Sequence, residues 1–212
     1  MNPINRELPD HAHVVIVGGG VVGASIAYQL TKAGVSDVVL LERGVLACGT
    51  SWHAAGLIMQ LRGGHTATDI ARYNAEFYPQ LEADTGMATG FKQNGTLAIG
   101  RNRDRVHEMN RRASMAKSFG IDTHVLSPKE AKDMYPALDA SHVAGALFIP
   151  GDGQLNPVDT VNALIAGAKK RGARILENSP VDKLRRLPSG EYTLDTKNGT
   201  IRCETLVLAC GL

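Results

Sequence analysis

Residues 13–43 constrain the fold of this chain more than any other stretch. They read HVVIVGGGVVGASIAYQLTKAGVSDVVLLER. Residues 14–17 are a short β-branched run, which is typical of a parallel strand covered on both faces. Apolar residues then recur at helical spacing as far as Ala33, Gly34 ends the helix, and a second apolar run follows. The segment therefore predicts a βαβ unit.

The glycines of this unit predict a dinucleotide site. Gly18, Gly20 and Gly23 supply G-x-G-x-x-G for a tight turn, backbone approach to a pyrophosphate, and helix packing against the strand. Glu42 follows the second strand, where its carboxylate can accept hydrogen bonds from the ribose hydroxyls of NAD or FAD. Arg43 is predicted to lie over the adenine. The motif favours NAD or FAD over NADP and leaves those two open.

Composition excludes several other classes of protein. Of 212 residues, 43% are hydrophobic, which suits one large α/β domain or one and a part. Lys and Arg number 23 against 21 Asp and Glu, and they are scattered, so no nucleic-acid partner is expected. Cys48, Cys203 and Cys210 lack metal-ligand spacing, so no metal is expected, and they are predicted to be buried. Without a leader or membrane span in view, a cytoplasmic protein is expected.

Residues 44–57, GVLACGTSWHAAGL, are the nearest candidate for contact with a flavin ring. The adenosine half of FAD lies along a glycine turn, so the ring must extend beyond it. Thr50 or Ser51 is predicted to cap a short helix that holds His53 in its first turn. Trp52 either packs on the cofactor or fills the core.

Glu42-Arg43 and the later GTSWHAAGL, residues 49–57, resemble the dimethylglycine and sarcosine dehydrogenase family of DAO-type flavoproteins. The resemblance implies FAD, joined through its 8α carbon to His53, whose neutral imidazole nitrogen acts as the nucleophile. A histidine that lines a noncovalent flavin site is the alternative. The match covers nearly the whole chain but only an N-terminal part of such enzymes, so a truncated, inactive fragment is expected.

The resemblance implies an α/β fold: a Rossmann-like FAD-binding domain of the glutathione-reductase type, with part of an α+β substrate domain. Residues 1–12 are a polar lead. Residues 13–60 and 151–212 are assigned to an incomplete FAD-binding domain, and residues 61–150 to an inserted part of the substrate domain.

Periodicity and turn residues predict the remaining elements. Residues 66–83 are expected to be helical with a break or kink near Pro79. Residues 91–100 are predicted to form a hairpin that turns at Asn94-Gly95. Asp152 is assigned a turn or capping role rather than a catalytic one.

The predicted site is a cofactor site only. Val181 matches the family position whose backbone meets adenine, whereas the substrate-binding groups lie downstream in relatives, so no catalytic residue is assigned. The cofactor-binding residues are Gly18, Gly20, Val21, Val22, Gly23, Glu42, Arg43, Gly49, Thr50, Ser51, Trp52, His53, Ala54, Ala55, Gly56, Leu57 and Val181.

The function implied is oxidative demethylation of an N-methylated amino acid such as dimethylglycine or sarcosine. Electrons would pass to an electron-transfer flavoprotein or oxygen, and tetrahydrofolate would be needed only in a C-terminal domain absent from this chain. In a eukaryote the location would be the mitochondrial matrix. The alternatives are a noncovalent FAD amino-acid oxidase and a regulatory protein like the regulatory subunit of pyruvate dehydrogenase phosphatase.

Overall fold

The computed structural model describes residues 7–212, which form two compact units. The first unit contains the described residues up to Ala55, together with Leu81–Thr89 and Asn156–Leu212. The second contains Gly56–Gln80 and Gly90–Leu155.

Eleven strands and five α-helices are present in the described part of the chain. The strands are β1 His11–Val17, β2 Val38–Leu41, β3 Leu57–Ile58, β4 Thr96–Gly100, β5 His124–Leu126, β6 Gly145–Ile149, β7 Gly153–Gln154, β8 Arg174–Leu176, β9 Val181–Arg186, β10 Tyr192–Thr196 and β11 Gly199–Leu208. The helices are α1 Val21–Lys32, α2 His65–Thr85, α3 Arg103–Ser118, α4 Pro128–Met134 and α5 Pro157–Lys170.

The first unit is built on a six-stranded sheet in the order β8-β2-β1-β11-β10-β9. Strands β8, β2, β1 and β11 are parallel, and β10 is antiparallel to both β11 and β9. All four residues of β2 are buried, as expected for a parallel strand covered on both faces. The predicted βαβ unit is confirmed, although β1 begins at His11 and thus includes the last two residues of the predicted polar lead. Residues 1–6 of that lead lie outside the described part of the chain.

A cluster of polar side chains explains why Leu81–Thr89 belongs to the first unit rather than to the predicted insertion. The Tyr28 hydroxyl in α1 donates to Asp84 Oδ2 at 2.6 Å, and Arg171 at the end of α5 pairs with the same carboxylate. Burial and this hydrogen bond raise the pKa of Tyr28 to about 12. The boundaries differ from those predicted at residues 56–60 and 151–155 as well, because both ranges pack in the second unit.

The second unit contains a three-stranded antiparallel sheet in the order β4-β6-β5 and a two-stranded sheet of β3 and β7. The predicted hairpin over residues 91–100 is wrong, since β4 pairs with β6, and Lys92 bridges to Gln154. Gly95 has a φ of 79° and donates its N–H to Asp152 O at 2.9 Å, so the apparent hairpin turn joins a distant loop instead. Long-range pairing overrides the local turn signal here.

Helix α2 and Asp152 bear on two further predictions made from the sequence. Helix α2 runs through Pro79 to Thr85, so of the predicted break or kink near Pro79 the break does not occur. The Asp152 carboxylate is buried and accepts a hydrogen bond from Gln60 N at 2.8 Å, a role in holding a turn, and burial raises its pKa. A capping box of Ser127 and Glu130 stabilises the start of α4.

Candidate cofactor site

A cavity of about 630 Å³ lies in the first unit, where the chain leaves the carboxyl ends of β1, β2 and β11. Its volume is in the range of small-molecule and cofactor sites, and ligands of open parallel sheets bind at this edge. The lining residues are Gly18, Gly20, Val21, Val22, Glu42, Arg43, Cys48, Gly49, Thr50, Ser51, Ala54, Leu208, Ala209, Cys210 and Gly211.

Two glycines of the turn are required by packing within the protein. Gly18 has a φ of 114°, and a Cβ there would lie 2.2 Å from the carbonyl oxygen of Ala209, which follows β11. A Cβ on Gly23 would lie 1.9 Å from the carbonyl oxygen of Gly18. Both distances are far below van der Waals contact, so these positions hold the glycine turn tightly against its surroundings.

The third glycine opens the helix toward the cavity. Gly20 is the N-cap of α1 and offers no side chain as a cap, so the helix begins with bare backbone. The amides of a first helical turn have no intrahelical acceptor, and the helix dipole places partial positive charge there. Such an end binds phosphate groups well.

Glu42 fixes the glycine turn from the second strand. Its side chain is buried, with Oε2 accepting from Gly19 N at 2.6 Å and Oε1 accepting from Gly44 N at 2.8 Å. A carboxylate has about four lone-pair sites, so two amides leave capacity for ribose hydroxyls. The residue thus lines the cavity, as a ribose acceptor must, and also ties two loops together, which the sequence pattern did not reveal.

Residues Thr50–His53 form a single turn of 3-10 helix, which we call the His53 helix. The predicted cap is wrong: Gly49 is the N-cap residue and makes no side-chain cap bond. The Ser51 hydroxyl instead accepts from the backbone N–H of Val21 at 2.9 Å, at the start of α1. The serine therefore caps a different helix, 30 residues earlier in the chain.

His53 is exposed, and its ring lies edge-on to Trp52 with centroids 5.8 Å apart. Trp52 is 63% exposed and does not fill the core of the first unit. Both rings are available to a ligand, although neither is among the residues that line the cavity.

The other predicted residues are divided among several places. Gly23 lies behind the turn, Ala55 is exposed, and Val181 opens β9. Gly56 and Leu57 belong to the second unit, where Gly56 has a φ of 71°.

The predicted list of cofactor-binding residues did not include Leu208–Gly211, which also line the cavity. The available signal was an apolar strand that ends in glycine. Cys48 and Cys210 also line the cavity and are exposed, so their predicted burial is wrong. Cys203 is buried as predicted, and burial raises the pKa of its thiol.

A cofactor with a pyrophosphate fits the residues present. Gly20, the residue that directly precedes α1, has no side chain, and a Cβ added there would lie 3.1 Å from the Ser51 hydroxyl oxygen. The start of α1 carries no side-chain cap of its own, a buried acid follows the second strand, and the cavity lies at the edge of a parallel sheet. Together these three features satisfy what the dinucleotide motif requires. The fold and the site thus define a dinucleotide-binding protein of the Rossmann type.

Comparison with known proteins gives the family. The model of the DAO family, described as FAD dependent oxidoreductase, matches residues 13–212. The chain belongs to this family.

Individual relatives agree with the family assignment. The chain is 42% identical to 4-methylaminobutanoate oxidase (formaldehyde-forming) of Paenarthrobacter nicotinovorans over 97% of its length and 25% of that protein. It is 38% identical to human mitochondrial sarcosine dehydrogenase over 98% of its length and 23% of the relative. The crystal structure of L-proline dehydrogenase from P. horikoshii matches with a TM-score of 0.88 and 28% identity, covering 95% of this chain and 53% of that one.

The chain spans about a quarter of the length of these curated relatives. Within residues 7–212, no helix has the combined length and apolarity needed to cross a bilayer.

Proposed function

We propose that the protein containing this chain is an FAD-dependent oxidoreductase that oxidises the C–N bond of an N-methylated amino acid. The first unit serves as part of its FAD-binding domain and the second as part of its substrate domain. The observation that carries the proposal is the single cavity that joins the glycine turn, Glu42 and the start of the His53 helix.

The residues of the first unit have distinct roles in holding FAD. The bare start of α1 at Gly20 receives the pyrophosphate, and Glu42 accepts from the adenosine ribose. Arg43 borders the adenine end, where Val181 contributes backbone. When bound, FAD would supply the hydride-accepting chemistry for a carbon next to nitrogen, and the protein would supply orientation and electrostatics.

His53 would hold the flavin covalently through the 8α carbon, as in the family that the chain resembles. Its exposure leaves a ring nitrogen accessible as a nucleophile. Formation of this bond would remove one proton from the imidazole and one from the carbon, together with two electrons that oxygen or another oxidant would accept.

The substrate proposal is supported by the names of two relatives, 4-methylaminobutanoate oxidase and sarcosine dehydrogenase, both of which denote enzymes of methylated amines. Dimethylglycine and sarcosine are the substrates we propose, with an electron-transfer flavoprotein or oxygen as acceptor. Any use of tetrahydrofolate would belong to a further domain of the whole protein. A cytoplasmic location, or the mitochondrial matrix in a eukaryote, is part of the same proposal.

The test is anaerobic reduction of the flavin in the full-length protein by sarcosine, dimethylglycine and 4-methylaminobutanoate. We expect at least one to bleach the flavin spectrum. A flavin that every methylated amine leaves oxidised would exclude this activity and favour a noncovalent oxidase with other substrates or a regulatory protein.

Covalent attachment is tested separately on a denaturing gel. Wild-type protein should keep fluorescent flavin, and His53→Ala should lose it while keeping its fold. Loss of fluorescence from the wild type would show a noncovalent site.

A further inference from the structure

Helix α1 has an unusual cap at its cofactor end. Gly20 stands at the N-cap and supplies no side-chain acceptor, unlike the serine, threonine, aspartate or asparagine that cap many helices with their own side chains. The acceptor comes instead from the His53 helix, where Ser51 Oγ receives the N–H of Val21 at 2.9 Å. One hydroxyl thus replaces a local cap and joins two segments that the proposed FAD contacts together.

Ser51 differs from its neighbours in the His53 helix in its solvent exposure. The serine is 9% exposed, while Thr50, Trp52 and His53 are all exposed. Within the His53 helix, the serine is the residue turned toward the protein. Its hydrogen bond to α1 is consequently one side-chain anchor of that helix.

The space for this anchor depends on glycine. A Cβ at Gly20 would lie 3.1 Å from Ser51 Oγ, tighter than most real contacts. Glycine at this position therefore admits the serine hydroxyl as well as a pyrophosphate. Two requirements meet at one residue.

A second, backbone anchor lies just before the His53 helix. Ala47 N donates to Gly19 O at 3.0 Å, and Trp52 N donates to Ala47 O at 3.2 Å. Ala47 adopts a φ of 63°, which is strained for a residue with a side chain. The backbone anchor holds the start of the segment, and the serine holds its far end, two residues before His53.

We infer that Ser51 is a positioning residue for His53: its hydroxyl fixes the His53 helix to the first amide of α1 and thereby sets the distance between the flavin tether and the phosphate end of the cofactor. The inference rests on the proposed FAD site. The serine acts through the backbone of α1 and His53, and no substrate contact is assigned to it.

The experiment compares Ser51→Ala and Ser51→Thr in the full-length protein. Ser114→Ala is the matched control, because its hydroxyl bonds only within the exposed face of α3, to Asn110 O at 3.0 Å. Apoprotein is mixed with FAD, and covalent flavin is followed by fluorescence on denaturing gels. Circular dichroism establishes that each variant is folded.

Ser51→Ala should slow attachment roughly 10- to 100-fold, since small misplacements of reacting groups carry penalties of this size. Ser51→Thr keeps the hydroxyl and should restore most of the rate, and the control should match the wild type. Equal rates for Ser51→Ala and wild type would overturn the inference. A folded Ser51→Thr variant as slow as Ser51→Ala would also overturn it, since the hydroxyl would then not be the cause.

Two further measurements separate failure of this inference from failure of the proposed function. If the wild type holds FAD without a covalent bond, Ser51→Ala should release it roughly fivefold faster, the worth of about one hydrogen bond. If the wild type binds no FAD, the proposed function fails. The amide of Val21 in the apoprotein should still exchange with deuterium several times faster in Ser51→Ala, and unchanged exchange would refute the cap itself.

Discussion

The two ends of helix α1 are held in opposite ways. At its start, Gly20 supplies no side-chain cap, and a side-chain contact comes from the Ser51 hydroxyl, which accepts from Val21 N–H. Further along, Tyr28 is fully buried and is locked by a hydrogen bond to Asp84, which also pairs with Arg171. The difference shows a helix whose stability is concentrated away from the cavity, which leaves its first turn open for a ligand.

If this comparison is correct, substitutions at the two ends should separate stability from cofactor binding. Changes beside Asp84 should alter the free energy of unfolding and leave FAD affinity alone. Changes at Gly20 should do the reverse. The glycine turn itself should affect both.

The largest effect is expected for Gly18→Ala. Its Cβ would collide with the Ala209 carbonyl oxygen at 2.2 Å, with φ at 114° adding backbone strain. We expect a loss of more than about 3 kcal/mol in the free energy of unfolding and no FAD binding.

Gly34→Ala is the matched control for that substitution, since φ is 87° but nothing lies within 4 Å of its added Cβ. It should cost only about 1 kcal/mol. Urea unfolding measures both variants, and equal losses would show that the contact with Ala209 is unimportant.

Asp84→Ala should come next, at about 2 kcal/mol, because it removes the acceptor of a buried tyrosine hydroxyl and the partner of Arg171. Partial exposure of the pair keeps the value modest. Arg171 and Tyr28 lower the pKa of Asp84, so the stabilisation is present above its unfolded pKa of about 3.9 and declines as pH falls below it.

The control for Asp84→Ala is Asp133→Ala, which removes an exposed pair with Lys129 and should leave the free energy of unfolding close to that of wild type. FAD affinity should stay within about twofold of wild type in both folded variants, because substitutions at distant sites act nearly independently. A large loss of affinity in Asp84→Ala would break the proposed separation of the two ends.

Gly20→Ala should weaken FAD binding by roughly tenfold, about 1.4 kcal/mol, through crowding of Ser51 and of the approaching phosphate. Its stability should fall less than that of Asp84→Ala. Gly63→Ala, with open space around its added Cβ, is the control and should bind normally. Titration of apoprotein with FAD measures the affinity. If Gly20→Ala bound FAD as tightly as wild type, the start of α1 would not be part of the FAD site.

The smallest effect is expected for Tyr28→Phe, about 1 kcal/mol at neutral pH for one lost hydrogen bond. Burial, then the bond to Asp84, raises the pKa of Tyr28 to about 12, above an unfolded value of about 10. The protonated tyrosine therefore stabilises the fold below pH 10, and this contribution is lost as pH rises toward 12. Unfolding measured across this range should show the extra decline in wild type and not in Tyr28→Phe; parallel curves would contradict the assignment.

The sequence was most informative where function depends on local backbone. The G-x-G-x-x-G turn and Glu42 could be placed because strand, turn and helix are adjacent in the chain. The bond from Val21 to Ser51 spans 30 residues, and that from Tyr28 to Asp84 spans 56, so neither leaves a periodic signal.

The errors have the same physical origin. Asn94-Gly95 carries a strong hairpin signal, yet β4 gains more by pairing with β6, some 50 residues later along the chain. Leu208–Gly211 reach the cavity only because β11 lies beside β1 in the sheet. Contacts that follow from sheet order were thus beyond what local pattern could predict.

The most direct test of the central claim is the flavin content of the purified full-length protein after incubation with FAD. We expect one FAD per chain in the wild type and almost none in Gly18→Ala. A folded wild-type protein that contains no flavin and takes up none would contradict the account.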